Sequence, residues 1–253
     1  FATYARSDNG TLLPGKLYVG VHAPSLGSVQ TSQVRVFTSP LQSPMPFSNE
    51  QRDPWWTLVT FFNSLRELGN TLSLFQSDIP TRLRILQNRI GAQFSHMRQI
   101  RNWRILELTG RMRNEEVHQA IPTLQISCTD KGQPIDVCLA SNIIEVGIDI
   151  DRLSLMVIVG QPKTTSQYIQ VTGRMGGLCP RRPELIVTIY SPSKPRDRSH
   201  FEKFRSYHEK LYAQVEPSSV TPFSSPALER ALHAAMTAYV RQCGDEKVAD
   251  SPY

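Results

Sequence analysis

Apolar residues in this chain fall into short dense runs separated by stretches of helical spacing. Residues 57–62 (TLVTFF), 104–108 (RILEL), 136–140 (DVCLA), 154–159 (SLMVIV) and 185–190 (LIVTIY) are β-branched, aliphatic or aromatic and only five or six residues long. Such runs predict buried strands. Residues 16–23 (KLYVGVHA) predict a further short strand. The first run leads at once into Ser64-x-x-Glu67, a capping box in which both side chains satisfy free backbone donors, so a helix should run from there to about Gln76. Over residues 81–102, Leu83, Leu86, Ile90, Phe94 and Met97 recur at steps of three and four, with Arg82, Arg84, Arg89, Arg98 and Arg101 beside them. That spacing predicts one helix with an apolar stripe and a solvated arginine face. Further helices are predicted from about Asn114 and after Thr164-x-x-Gln167, a second capping box. Apolar strands alternating with helices give an α/β fold, a parallel sheet covered by helices on both faces.

The ends of the chain read differently. Residues 28–38 fit a helix or an extended segment equally. Pro40, Pro44, Pro46 and Pro54 crowd the stretch 39–54, which excludes regular helix and central strand there and marks an entry linker. After Tyr190 the composition turns to Ser, Pro, Lys and Arg. A helix is predicted at about 198–215, with Phe201, Phe204, His208, Leu211 and Val215 on one face, and a last one at 227–242. On that apolar face His208 is expected to be a packed histidine, not a ligand. The expected organisation is an N-terminal segment and Pro-rich linker over 1–54, the main α/β lobe over 55–192, and a helical extension over 193–253.

At 253 residues the chain is long enough to bury a large core, and 40% apolar with 20% charged residues is ordinary for a globular protein. No run is long and apolar enough to span a bilayer, so no membrane partner is expected. The net charge of +6 suits a polyanionic partner. Cys128, Cys138, Cys179 and Cys243 form no Cys-x-x-Cys pair and no zinc spacing; they read as reduced thiols of a cytoplasmic protein, Cys138 in a buried strand. The first residue is Phe1, not Met, and the sequence reads as a piece of a longer polypeptide.

Candidate chemistry concentrates between Ala140 and Gly177 (ASNIIEVGIDIDRLSLMVIVGQPKTTSQYIQVTGRMGG). The loop 141–149 leaves a strand at the carboxyl edge of the sheet, where ligands of open parallel sheets gather. There Ser141 offers a hydroxyl, Gly147 lets backbone approach a ligand, and Asp149 can accept a hydrogen bond from a ribose hydroxyl or an arginine. Alone, this loop reads better as a plain strand-to-helix turn with Asp149 as a local cap; the motif that follows tips it toward a functional reading. The following helix carries Gln170-x-x-Gly173-Arg174. The planar fork of an arginine suits a phosphoryl group whose charge builds during transfer.

These two spaced motifs, in this order, resemble motifs V and VI of superfamily 2 helicases, in the second RecA-like lobe. The resemblance implies that Gly147, Asp149, Gly173 and Arg174 meet ATP, with Arg174 at the γ-phosphate and Gln170 coupling the nucleotide to the strand site. It implies that Ser141 and Asn142 touch the nucleic-acid backbone, joined by Thr109 and Arg111 of Leu108-Thr109-Gly110-Arg111, which is similar to a short family motif. A helix-start salt bridge remains an alternative for Arg111. One residue departs: Gly177 stands where these motors usually carry a second Arg. Phe62–Gly69, Val159–Thr165, Pro195–His200, Val215–Pro217 and Ser219–Ser224 extend the resemblance to the helicase family of the DISARM antiphage system, across Leu17 to Arg241.

No Gly-x-x-x-x-Gly-Lys-[Ser/Thr] occurs in the chain, so the phosphate loop and the carboxylates that hold Mg2+ with the ATP belong to a first RecA-like lobe of the same polypeptide, and this piece alone is expected to be inactive. DNA is the expected partner, with RNA left open and a defence-complex subunit alongside. Two readings stand: a motor lobe, or a degenerate lobe that holds DNA or a protein without turnover, which Gly177 favours. A dinucleotide-binding enzyme would need a Gly-x-Gly-x-x-Gly run, and there is none.

Overall fold

The computed structural model describes residues 1–6, 9–90, 97–130, 132–141, 152–173, 183–216 and 225–243. Strands β1 (Ala2–Arg6) and β2 (Leu12–His22) lead into helix α1 (Val29–Gln42) and the short helix α2 (Asn49–Arg52). Then come β3 (Leu58–Phe62), α3 (Leu65–Gln76), α4 (Asp78–Ile90), β4 (Ile105–Leu108), α5 (Asn114–Gln125) and β5 (Val137–Ala140). After them follow β6 (Leu155–Val159), α6 (Thr165–Thr172), β7 (Glu184–Tyr190), α7 (Pro195–Glu202), α8 (Phe204–Glu209) and α9 (Ser225–Cys243).

The strands form one sheet in the order β1-β2-β7-β6-β3-β5-β4. Every pairing is parallel except β1 with β2, which is antiparallel at the edge. Period-two alternation sends each strand's side chains to two separate cores. Val59 and Phe61 of β3, Cys138 and Ala140 of β5, and Met156 and Ile158 of β6 meet Leu124, Tyr168, Val171, Tyr207 and Leu211 on one face. Leu58 and Phe62, Val137 and Leu139, and Leu155, Val157 and Val159 meet Phe37, Leu41, Leu68, Phe75 and Leu83 on the other. The fold is the expected RecA-like α/β sheet with helices on both faces.

The structure corrects several expectations. Pro40 lies inside α1, and the stretch 39–54 is partly helical. Helix α1 holds because Phe37 and Leu41 are buried against the sheet, which outweighs one missing backbone bond near the helix end. Helix α2 opens with a reciprocal box between Ser48 and Gln51. The helix predicted over 81–102 ends at Ile90, and residues 97–101 are irregular. Arg98 is not on a solvated face but 2% exposed, with its guanidinium 3.6 Å from the Trp56 ring centroid and 3.0 Å from Asp136. The helix predicted over 198–215 is two helices and a 3-10 turn, and Val215 is exposed. The chain forms two compact units, Phe1–Val215 and Glu216–Tyr253, and within the first β2 sits inside the sheet, paired along Lys16–His22 with Glu184–Tyr190 of β7.

Candidate functional site

Helices leave neighbouring strands β3 and β6 toward opposite faces: α3 joins the core of Phe62 and Leu68, α6 that of Phe61 and Tyr168. Such a switch opens a crevice at the carboxyl edge between the two strands. Asn63 spans it, donating from Nδ2 to the carbonyls of Val159 and Gly160, both at 3.1 Å. Gly160 has φ 76°, and a Cβ there would lie 3.3 Å from a carboxylate oxygen of Asp197. Only glycine fits that turn without strain.

Along the same edge, β4 and β5 end side by side, Leu108 opposite Ala140. The Ser141 amide donates to the Leu108 carbonyl at 3.0 Å, which brings Ser141 next to Thr109. Both are buried, at 6% and 8% exposure, while Arg111 in the following turn is exposed. The turn closes with the Met112 amide donating to the Thr109 carbonyl, and α5 starts with the Arg113 amide donating to Glu116 at 2.9 Å. The adjoining β3 contributes the start of α3, where Ser64 accepts from the Glu67 amide at 3.3 Å. The return half of that predicted box is absent from the hydrogen bonds of the described residues; Glu67 instead pairs with Lys194. An exposed arginine beside helix starts, whose first amides lack partners within the helix, makes this edge suited to anionic oxygens.

Helix α6 is held by an exposed cap at its start and by buried polar contacts beside it. Thr164 caps it, accepting from the Gln167 amide at 3.2 Å, and Gln167 in turn accepts from the Lys163 amide at 3.0 Å. The turn before it is pinned by Asp197, fully buried, whose two oxygens accept from the amides of Gln161 (3.0 Å) and Ser191 (2.9 Å). Gln161 donates to the Tyr207 hydroxyl at 3.2 Å. The Tyr168 hydroxyl meets His208 Nε2 at 2.9 Å, and His208 Nδ1 lies 2.7 Å from the Phe204 carbonyl. Burial pushes the His208 pKa down to about 4, so the ring is neutral: Nδ1–H donates and Nε2 accepts. Burial likewise raises Tyr168 well above the usual phenol range. His208 is packed, as the sequence reading has it.

Helix α6 runs from the carboxyl edge toward the start of β7. Its last carbonyl, on Thr172, accepts from Lys16 Nζ at 2.6 Å, and Lys16 pairs with Glu184 at 2.8 Å. Gln170 is exposed, and Gly173, also exposed, closes the helix with its amide donating to the Ile169 carbonyl at 2.8 Å. The structure thus joins Thr109 and Ser141, with Arg111 near them, at one edge. Gln170 and Gly173 lie apart from these, along α6. Asn142, Gly147, Asp149, Arg174 and Gly177 lie outside the described residues. Asn63, Asp197 and Lys16 were not singled out from sequence; the box directly after β3 was the available signal for Asn63, and the other two had none.

Among the described residues no group of three His, Cys, Asp or Glu could hold a metal ion, and no helix is long and apolar enough to cross a membrane. Cys128, Cys138 and Cys243 are free.

Residues 70–177 match the helicase conserved C-terminal domain. Over 243 residues it is 39% identical to the DISARM protein DrmA of Bacillus paralicheniformis, covering 94% of this chain and 21% of that protein. The chain therefore spans about a fifth of the length of that relative. Among solved structures, the helicase MrfA bound to DNA and AMPPNP matches 90% of this chain and 27% of its own, with a TM-score of 0.57 at 20% identity. A yeast DEAD-box splicing factor matches 86% of this chain and 37% of its own, with a TM-score of 0.51 at 16% identity. At these identities the two structures speak for the fold.

Proposed function

We propose that this chain is the second motor lobe of an ATP-dependent DNA helicase or translocase that serves antiphage defence in the bacterial cytoplasm. The observation that carries the reading is the edge where Thr109 and Ser141 adjoin, with exposed Arg111 beside them and the start of α3 next in the sheet. Hydroxyls, free amides and a guanidinium along one edge hold a phosphate backbone without reading bases. The likeness to DrmA supports the defence role, and MrfA, bound to both DNA and AMPPNP, supports the pairing of strand and nucleotide.

The nucleotide half of the proposal rests on the exposed end of α6. Gly173 presents no side chain there, and the chain continues directly to Arg174. These residues fit one wall of a nucleotide site and not a whole one, because the chain has no phosphate loop. ATP with Mg2+ held by a first lobe would supply a phosphoryl group whose transfer drives motion. Gly173 would admit the triphosphate closely, Arg174 would neutralise its terminal phosphate, and Gln170 would link that contact to the strand edge. Closing on the nucleotide and opening after hydrolysis would then move the strand along Thr109, Arg111, Ser141 and Asn142.

The test is ATPase activity of the full-length protein with and without single-stranded DNA. DNA-stimulated turnover is expected. Gly177, where related motors usually carry a second arginine, favours the other reading, a degenerate lobe that binds DNA or a partner. Background turnover at saturating DNA, with tight DNA binding retained, would leave only that one.

A further inference from the structure

Beyond β3 on the carboxyl edge, the ends of β6 and β7 border a pocket of about 370 Å³ that no motif accounts for. Val159 and Ile189 line it from the sheet, Gln33 from α1, Glu67 from α3 and Lys194 from the turn before α7. Gln33 is 7% exposed, and among the described residues its side chain has no hydrogen-bond partner. A buried amide is costly to leave unpaired, so an occupant that bonds to it gains what the empty pocket forfeits. Glu67 has accepting capacity to spare: Lys194 takes Oε1, and Oε2 has no partner.

Charge decides what kind of occupant fits. Two carboxylates, Glu67 and Asp197, line the pocket against the one ammonium of Lys194, so a phosphate is disfavoured there. A neutral, planar group that donates to a carboxylate and accepts from an amide answers the unpaired atoms. Adenine and cytosine carry such a pair, an amine next to a ring nitrogen; thymine has carbonyls on both sides of its ring N–H and offers none.

We infer that the pocket receives one base, adenine or cytosine, from a strand lying along the carboxyl edge, an assignment that rests on the strand-edge reading above. Neighbouring strands of a sheet are about 4.8 Å apart, so the ends of β6 and β7 lie roughly 14 Å along the edge from the Thr109–Ser141 ends of β4 and β5. A strand held by its phosphates at Thr109, Arg111 and Ser141 reaches that far. Turning one base out of single-stranded DNA costs only its stacking, because no pairing is broken. In the pocket Gln33 donates to the ring nitrogen, Glu67 accepts from the amine, and Val159 and Ile189 meet the apolar face of the base.

The test measures Kd of the full-length protein by fluorescence anisotropy for an oligothymidine. It is repeated for the same oligomer with one central thymine replaced by adenine, by cytosine, or by purine, which is adenine without its amine. Adenine and cytosine should each tighten binding about tenfold, and purine should not. In Gln33→Leu the ratio between the adenine and thymine oligomers should fall to near one, whereas Arg111→Ala should weaken both alike and keep the ratio. Equal affinity for all four oligomers, or a preference that persists in Gln33→Leu, overturns the inference and leaves the strand edge standing. Failure to bind any of them overturns the strand-edge reading and this inference with it. Should Gln33→Leu not fold, the comparison of adenine with purine on the unaltered protein decides, and equal binding of the two overturns the inference.

Discussion

The hydroxyl of Tyr168, on α6, donates to Nε2 of His208, on α8, across 2.9 Å of buried space. This bond needs a neutral imidazole, and it ties α6, which carries Gln170 and Gly173, to the helices that follow β7.

That neutrality makes the fold acid-sensitive. The His208 pKa falls from 6.5 to about 4 because burial disfavours the cation. The unfolded chain therefore binds the proton more readily, and stability is full above pH 6.5 and lost as pH falls toward 4. Between pH 7.5 and 5 the expected loss is about 2 kcal/mol. Urea unfolding at the two pH values checks it, and His208→Gln should flatten the difference. An equal acid loss in that variant would assign the effect elsewhere.

Arg98 and Asp136 form a buried pair at 3.0 Å, with the guanidinium also donating to the Trp56 carbonyl at 2.9 Å. Burial pushes the Arg98 pKa down to about 10, still charged at neutral pH. Asp136→Asn would leave that cation uncompensated and should cost about 3–5 kcal/mol of unfolding free energy. Replacing both residues by well-packed apolar side chains should recover much of it. A loss below 1 kcal/mol in the single variant would show that the pair is not needed.

Arg111 stands exposed beside buried Thr109 and Ser141. As a phosphate contact, its removal in Arg111→Ala should weaken DNA binding about equally on every sequence and lower the salt slope of log Kd by about 1. Fluorescence anisotropy across a salt series reads both. An unchanged slope would instead support the helix-start salt bridge as its role.

Gly177→Arg should raise the DNA-stimulated ATPase rate of the full-length protein. An arginine finger is worth about 10³–10⁵ in rate where it is complete, so even partial recovery is measurable. Steady-state turnover with saturating ATP is the readout. No gain would mean that position 177 is not where the second arginine acts.

Strands β3, β5, β6 and β7 were legible because each is a short apolar run buried almost throughout, and burial on both faces is what a near-continuous apolar pattern encodes. Strand β3 was expected at 57–62 and is Leu58–Phe62; helix α3 was expected to end near Gln76 and does. Strand β1 (ATYAR) was not legible, since its residues form no apolar run. Proline near the end of α1 was misjudged for a related reason: local propensity says nothing of Phe37 and Leu41 being driven into the core.

The site divides along the same line. Residue order alone determined the α/β class, the helicase motifs and the residues Thr109, Arg111, Ser141, Gln170 and Gly173 as candidates, because these depend on types at fixed spacings along the chain. Only the folded sheet decided that Thr109 and Ser141 become neighbours, that Arg98 is buried, and that Lys16 reaches Thr172 at a separation of 156 positions. Those pairings follow from strand order, in which β2 lies beside β7 and β5 beside β4. Strand order minimises exposed apolar surface over the whole molecule, and no local stretch of sequence contains that information.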